Sequence, residues 1–145
     1  MNQADGAGTA VGSSHFTFSI LHAAKLIEDR LEAGLGDLGL SMAKHSALSR
    51  LQEAGEPLTL SELAERLSCV RSNITQLVDR LEADGLVRRV ADPADRRSVR
   101  AELTQLGRDK QAAGAAALTR VQGEIAEQLG NADLANLESA LSSLS

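Results

Sequence analysis

Residues 71 to 80 set hydrogen-bonding side chains along one face of a helical pattern. Arg71, Ser72, Asn73, Thr75, Gln76 and Arg80 fall outward, while Ile74, Leu77, Val78 and Leu81 share an apolar face. The residue types suit base edges. Asn and Gln match the paired donor and acceptor of adenine, Arg matches guanine or a phosphate, and Ser and Thr serve either. Asp79 and Glu82 would repel a polyanion, and both fall toward the C-terminal half. A second cluster, Asp92-Pro-Ala-Asp-Arg-Arg97, places Arg96 and Arg97 at a turn. A guanidinium there suits the narrow, strongly negative minor groove of A·T-rich duplex. Asp95 stands two residues before Arg97, where it could orient it by a charge-assisted pair. The competing readings are a solvated polar helix face and an ordinary exposed hairpin.

The surrounding pattern supplies elements to position these groups. An apolar repeat from about Phe16 to Leu35 predicts a long first helix, and a second runs from about Ser41 to Ala54, ended by Gly55 and Pro57. Thr59 with Glu62 has the form of a capping box opening a short helix, about Leu60 to Leu67. Ser68, Cys69 and Val70 make a tight turn into the helix of about Arg71 to Asp84, closed by Gly85. Two short helices joined by about three residues have the helix-turn-helix shape. Leu86–Val90 and Ser98–Leu103 then read as two strands around the charged turn, a β-hairpin wing. A Gly-punctuated helix of about Thr104 to Leu129 follows. Asn131 is expected to cap a last helix carrying Leu134, Leu137, Leu141 and Leu144.

The fold class expected is therefore mainly α with a small β-hairpin wing (α+β). Residues 1–14 are expected to be a disordered tail and 15–145 a single domain. Within it, about 41–104 is the winged helix-turn-helix lobe, and about 15–35 and 105–145 are dimerisation helices. The 145 residues suffice for one modest core. With no Trp, no Tyr and two Phe, that core is aliphatic, and single strands have no aromatic platform to stack on.

The net charge of -5 is unevenly distributed. From Arg66 to Arg100 eight Arg face five acids, giving +3, and the remainder carries -8. Such a dipole orients a molecule on a polyanion, although a salt-bridged surface would give the same count. No run approaches the ~20 apolar residues that span a bilayer. The start, MNQADGAGTAVGSS, has no basic or apolar segment of a secretory signal, so a cytoplasmic location is expected.

Enzyme signatures are absent: there is no phosphate-cradling glycine loop, HExxH, G-x-S-x-G or CxxC. No catalytic residue and no cofactor is expected. His15, His22 and His45 lack a neighbouring acid that would complete a metal set, so no metal is expected either.

The stretch from Leu58 to Gly107 resembles the MarR (multiple antibiotic resistance regulator) family. The resemblance is carried by Leu77-Val-Asp-Arg-Leu-Glu82, Gly85-Leu-Val-Arg88, Asp92-Pro-x-Asp-Arg-Arg97, Leu103-Thr104 and Gly107. It implies a winged-helix homodimer built on the first and last helices, which binds a pseudo-palindromic duplex operator and usually represses transcription. By position, Ser72, Asn73, Thr75 and Gln76 match the groove-facing residues, Arg97 the minor-groove arginine and Asp95 its partner. The resemblance also implies a pocket for a small aromatic or anionic effector between the dimer helices and the DNA-binding lobe, bordered by His22, Lys25, Met42 and His45. Val70 departs from the Ser or Thr usual there and removes the expected N-cap, a loss of about 1 kcal/mol unless Ser68 substitutes. Gln76 replaces a frequent Arg.

Two alternatives stay open. Cys69, beside the N-terminus of the 71–84 helix and Arg71, would suit a thiol-based redox regulator; the bland reading is a small residue filling the turn. A winged-helix module for protein contacts alone is the other, and the concentration of Arg from 66 to 100 argues against it.

Overall fold

A computed structural model describes the backbone of residues 7–130 and 133–145, and side-chain surroundings from residue 15 onward. The chain order is α1 (Ala7–Gly36), α2 (Met42–Ala54), β1 (Leu58–Thr59), α3 (Leu60–Arg66), α4 (Arg71–Ala83), β2 (Val87–Ala91), β3 (Val99–Leu103), α5 (Gln105–Leu129) and α6 (Leu134–Ser142). The mainly helical winged architecture expected from the sequence is present.

Local chemistry sets most boundaries. The Ser41 hydroxyl accepts the Lys44 N–H to start α2, and Gly55 closes it at φ 68°. The Thr59–Glu62 capping box forms in both directions and opens α3. The Thr59 backbone N–H, donating to the Glu62 carboxylate at 2.8 Å, is the largest influence holding that carboxyl below the usual range. Three details differ from the sequence reading. Helix α1 begins at Ala7, so residues 7–14 are helical rather than a disordered tail; extending a helix adds a hydrogen bond per residue with no new nucleus. Residues 1–6 of that tail lie outside the described residues. Asp133, not Asn131, caps α6 through the Asn136 N–H. The wing also has a third strand: β1 pairs antiparallel with β3 (Leu58 opposite Ala101), giving sheet order β1-β3-β2.

The core lies in the lobe of α2, α3, α4 and the sheet, where Leu48, Leu63, Ile74, Val78 and Leu81 are fully buried. Outside it, α1 lies along α5, with Gly34 against Val121 and Arg30 paired to Glu124.

Two close approaches join the lobe to α5. At the first, the Thr104 hydroxyl donates to the Gly85 carbonyl at 2.6 Å and accepts the Gly107 N–H at 3.0 Å, while its own N–H reaches the Leu86 carbonyl at 3.1 Å. One residue thus closes the end of α4, the foot of β3 and the start of α5. Gly107 must be glycine here, because a Cβ would fall 2.0 Å from the Leu86 carbonyl oxygen. At the second, the His45 ring of α2 lies against Gly114, where a Cβ would come within 2.5 Å of Nδ1. His45 is 7% exposed, and among the described residues its Nδ1 has no hydrogen-bond partner; Nε2 meets the Ser49 hydroxyl at 3.4 Å. Burial alone lowers its pKa from the usual 6.5, so the ring is neutral at pH 7.

The unfolded chain therefore takes up the His45 proton at a higher pH than the folded one. Stability from the neutral ring is complete above about pH 6.5 and drains as the pH falls toward the lower folded value. Thermal melts from pH 7 to 5 are expected to fall more steeply for the wild type than for His45→Leu. Gly107→Ala is expected to cost about 1–3 kcal/mol in denaturant unfolding, since a backbone carbonyl must shift.

Candidate nucleic-acid interface

Helix α4 is anchored from below and free above. Ile74, Val78 and Leu81 are fully buried, which turns Arg71, Ser72, Asn73, Thr75, Gln76 and Arg80 outward, all exposed. The side chains of Ser72, Asn73 and Gln76 make no hydrogen bond among the described residues. Thr75 returns its hydroxyl to the Arg71 carbonyl at 3.1 Å. The Arg71 guanidinium donates to Ser61 at the start of α3, 2.8 Å away, bracing one helix against the other. Val70 is the N-cap, in extended conformation (φ -74°, ψ 151°), with no side-chain cap. Ser68 does not replace it; it takes the left-handed turn position instead, at φ 51°.

The structure divides the eight arginines of the 66–100 strip. Arg88 pairs with Glu102 across the hairpin. Arg89 reaches back from β2 to α4, to Asp79 at 2.5 Å and Glu82 at 2.8 Å, and these bonds raise its pKa, Asp79 foremost. Arg100 holds Asp92 at 3.2 Å, Glu62 at 3.5 Å and the Pro57 carbonyl at 3.1 Å. The Ala94 N–H, and then Arg100, hold the Asp92 carboxyl below its ordinary value. Arg89 and Arg100 tie the wing to the helices, and Arg88 ties its two strands together. Arg66, Arg80, Arg96 and Arg97 make neither hydrogen bond nor ion pair among the described residues. The acids of the strip are largely spent on the tying arginines, which leaves the free positive charge on the α3–α4 turn, α4 and the wing tip.

Asp95 acts differently from expectation. Its carboxylate accepts the Arg97 backbone N–H at 2.9 Å, shaping the turn, and leaves the Arg97 guanidinium unpaired. The wing tip is closed further by Asp92 N–H to the Ser98 carbonyl at 3.1 Å and Ser98 N–H to the Asp95 carbonyl at 3.0 Å.

The effector residues expected from the resemblance do not gather around a cavity. His22 and Lys25 are exposed on α1, with Lys25 paired to Asp29 at 2.6 Å, and His45 is buried against α5. A hollow of about 660 Å³ lies between α2, the α3–α4 turn and α4. Its walls are Ala43, Ser46 and Arg50, then Arg66 to Cys69, then Asn73, Gln76, Leu77 and Arg80. Met42 is half-buried next to this wall but is not part of it. Arg50 and Arg66 escaped the sequence reading because only the tertiary fold brings α2 beside the turn. Cys69 is half-buried, a free thiol in the same wall. No group of three or more potential metal ligands occurs among the described residues.

Residues 40–99 match the MarR family. The uncharacterized HTH-type transcriptional regulator YsmB of Bacillus subtilis is 35% identical over 89 residues, 61% of this chain and 60% of that protein. The chain spans between 44% and 60% of the length of the curated relatives it matches. A MarR-family transcriptional regulator from Rhodococcus sp. RHA1 shares the fold with a TM-score of 0.72 at 26% identity, over 91% of this chain and 93% of that one. CouR from Rhodococcus jostii RHA1, solved bound to p-coumaroyl-CoA, gives 0.70 at 26% identity, over 91% and 92%.

The division of arginines has a measurable consequence. Arg97→Ala and Arg66→Ala each remove a free guanidinium, so each is expected to weaken duplex binding and to lower the slope of log K against log salt by about one. Arg88→Ala removes a charge already matched by Glu102 and is expected to leave that slope unchanged. Titrations at several salt concentrations check all three.

Proposed function

We propose that the chain, which matches the MarR family over residues 40–99 and is similar to MarR-type regulators, is a homodimeric, sequence-specific regulator of transcription. It represses from a pseudo-palindromic duplex operator and is released by a small amphipathic anion. The observation that carries this reading is the unpaired row of Ser72, Asn73 and Gln76 on α4, flanked by four arginines without partners. In a helix-turn-helix the second helix enters the major groove N-terminal end first, and that end holds the row. Arg97 at the wing tip is in place for an adjacent minor groove, and Arg96 for a phosphate. Selection of bound sequences from random duplex DNA by the purified protein tests the reading: a palindrome is expected, and recovery of no duplex overturns it.

Pairing of two chains is supported by apolar surface that one chain leaves uncovered. Phe16, Phe18 and Leu21 on α1 are 59–68% exposed, the α6 leucines at 134, 137 and 141 are 40–42% exposed, and Leu144 just beyond α6 is 77% exposed. Monomeric soluble proteins rarely leave such stripes open, and both lie on the helices outside the winged lobe.

The hollow beside α4 supports release by a ligand. Two free guanidiniums, Arg66 and Arg80, border it, Leu67 and Leu77 give it apolar wall, and no carboxylate lines it. An anion with an apolar body fits that chemistry, and p-coumaroyl-CoA, the ligand of CouR, is of that class. Asn73 and Gln76 belong both to the hollow and to the reading row, so ligand and DNA would compete for them. The position of Cys69 in this wall keeps a thiol-based variant in view. Equal DNA release by peroxide in wild type and Cys69→Ser would exclude it.

For the dimer, half-sites are expected about one helical turn apart, ~34–36 Å. Leu137→Glu combined with Leu141→Glu is expected to sediment as a folded monomer at micromolar concentration and to lose the palindromic site. A wild-type protein that sediments as a monomer would overturn the pairing.

A further inference from the structure

Val70 occupies a place where local stability calls for a different residue. It is the N-cap of α4, and no side chain satisfies the free N–H groups of the first turn. Ser, Thr, Asp or Asn would fill that role. The valine does not compensate by burial: its side chain is 62% exposed. Within residues 41–104, Val70 and Val99 are the two large apolar side chains that are exposed. A single exposed valine is ordinary on a protein surface. One that displaces a helix cap and stands beside Arg71, Ser72 and Asn73 breaks a local rule with no gain to the fold, which is expected where a residue serves function.

The backbone that carries the side chain is held in place. The Val70 carbonyl accepts the Asn73 and Ile74 N–H groups at 3.1 and 3.2 Å, and the preceding turn is fixed by the Cys69 N–H on the Ala64 carbonyl at 3.0 Å. Arg71, next in the chain, is braced on Ser61. A β-branched side chain on a fixed backbone has little rotamer freedom. The result is a rigid apolar stub at the leading end of α4, set among polar donors.

The thymine 5-methyl is the apolar group that the major groove displays. We propose that Val70 is a specificity-determining residue of the DNA interface, reading one thymine per half-site through contact with its 5-methyl group. The inference rests on the proposed DNA-binding function and adds to it a base preference that needs no hydrogen bond. It accounts for an apolar residue standing in the cap position, where a hydroxyl would strengthen the helix but be indifferent to the methyl.

The test replaces each thymine of a selected operator half-site in turn by deoxyuridine, which keeps every hydrogen-bonding group and removes the methyl. One symmetric position is expected to weaken wild-type binding about fourfold per half-site, the worth of one buried methyl group. Val70→Ser is expected to bind the uridine and thymine operators equally and to melt at a higher temperature than wild type, because serine caps α4. That melt also establishes that the variant is folded. Indifference of the wild type to every thymine-to-uridine change, or undiminished sensitivity in Val70→Ser, would overturn the role of Val70 while leaving DNA binding intact. Failure to select any duplex would overturn both.

Discussion

The molecule turns on the hydroxyl of Thr104. It donates to the carbonyl that ends α4 and accepts the N–H that begins α5, while the backbone on one side of it is the foot of the wing. Three elements with different tasks are therefore referred to one atom. The Leu86 carbonyl completes the joint, accepting the Thr104 N–H and pressing so near Gly107 that no larger residue fits. The start of α5 is thereby bonded directly to the residue that follows α4 and its cap. The second contact, His45 on Gly114, constrains α2 against the same helix and fixes the orientation of the lobe about the first.

On that frame, one residue type does two jobs. Arg88, Arg89 and Arg100 spend their charge inside the winged lobe, where several carboxylates are within reach. Arg66, Arg80, Arg96 and Arg97 make no hydrogen bond or ion pair among the described residues, and Arg66 feels a nearby carboxylate, that of Glu62. A net acidic chain thus presents a local surface of unbalanced positive charge, and the surplus lies next to the uncharged reading row rather than spread over the body. The acids at 79 and 82 look hostile to a polyanion in the sequence. In the fold they clamp Arg89, which offsets one of their two negative charges and draws both toward β2.

What was legible in the sequence is what is decided within a few residues. The Thr59–Glu62 box, the left-handed Gly55, the stop at Asp84-Gly85 and the 3.6-residue repeat of α4 are local, and each stands where the residues indicated. The outward face of α4 followed from that repeat. Less legible were features set by distant partners. A two-residue strand has no period to read, so β1 emerges only when Leu58 meets Ala101. Which arginines are free depends on acids up to 38 positions away, as with Arg100 and Glu62. The hollow joins α2 to α4 across a turn, so its walls could not be assembled from spacing. The missing cap at Val70 was visible from residue type alone, while its exposure and rigidity were not.

The Arg89 clamp has a consequence for how the protein lets go. It bonds β2 to two acids of α4, which opposes a swing of the hairpin on its own. In the proposed complex the two points of attachment, one in each groove, behave as a chelate: once one is seated, the other is already at high effective concentration. Partial detachment gains little freedom, because the loosened part stays rigidly beside the part still bound. Dissociation then proceeds as a single event, and a promoter under such a protein would see occupancy that is full or absent, with few half-released intermediates.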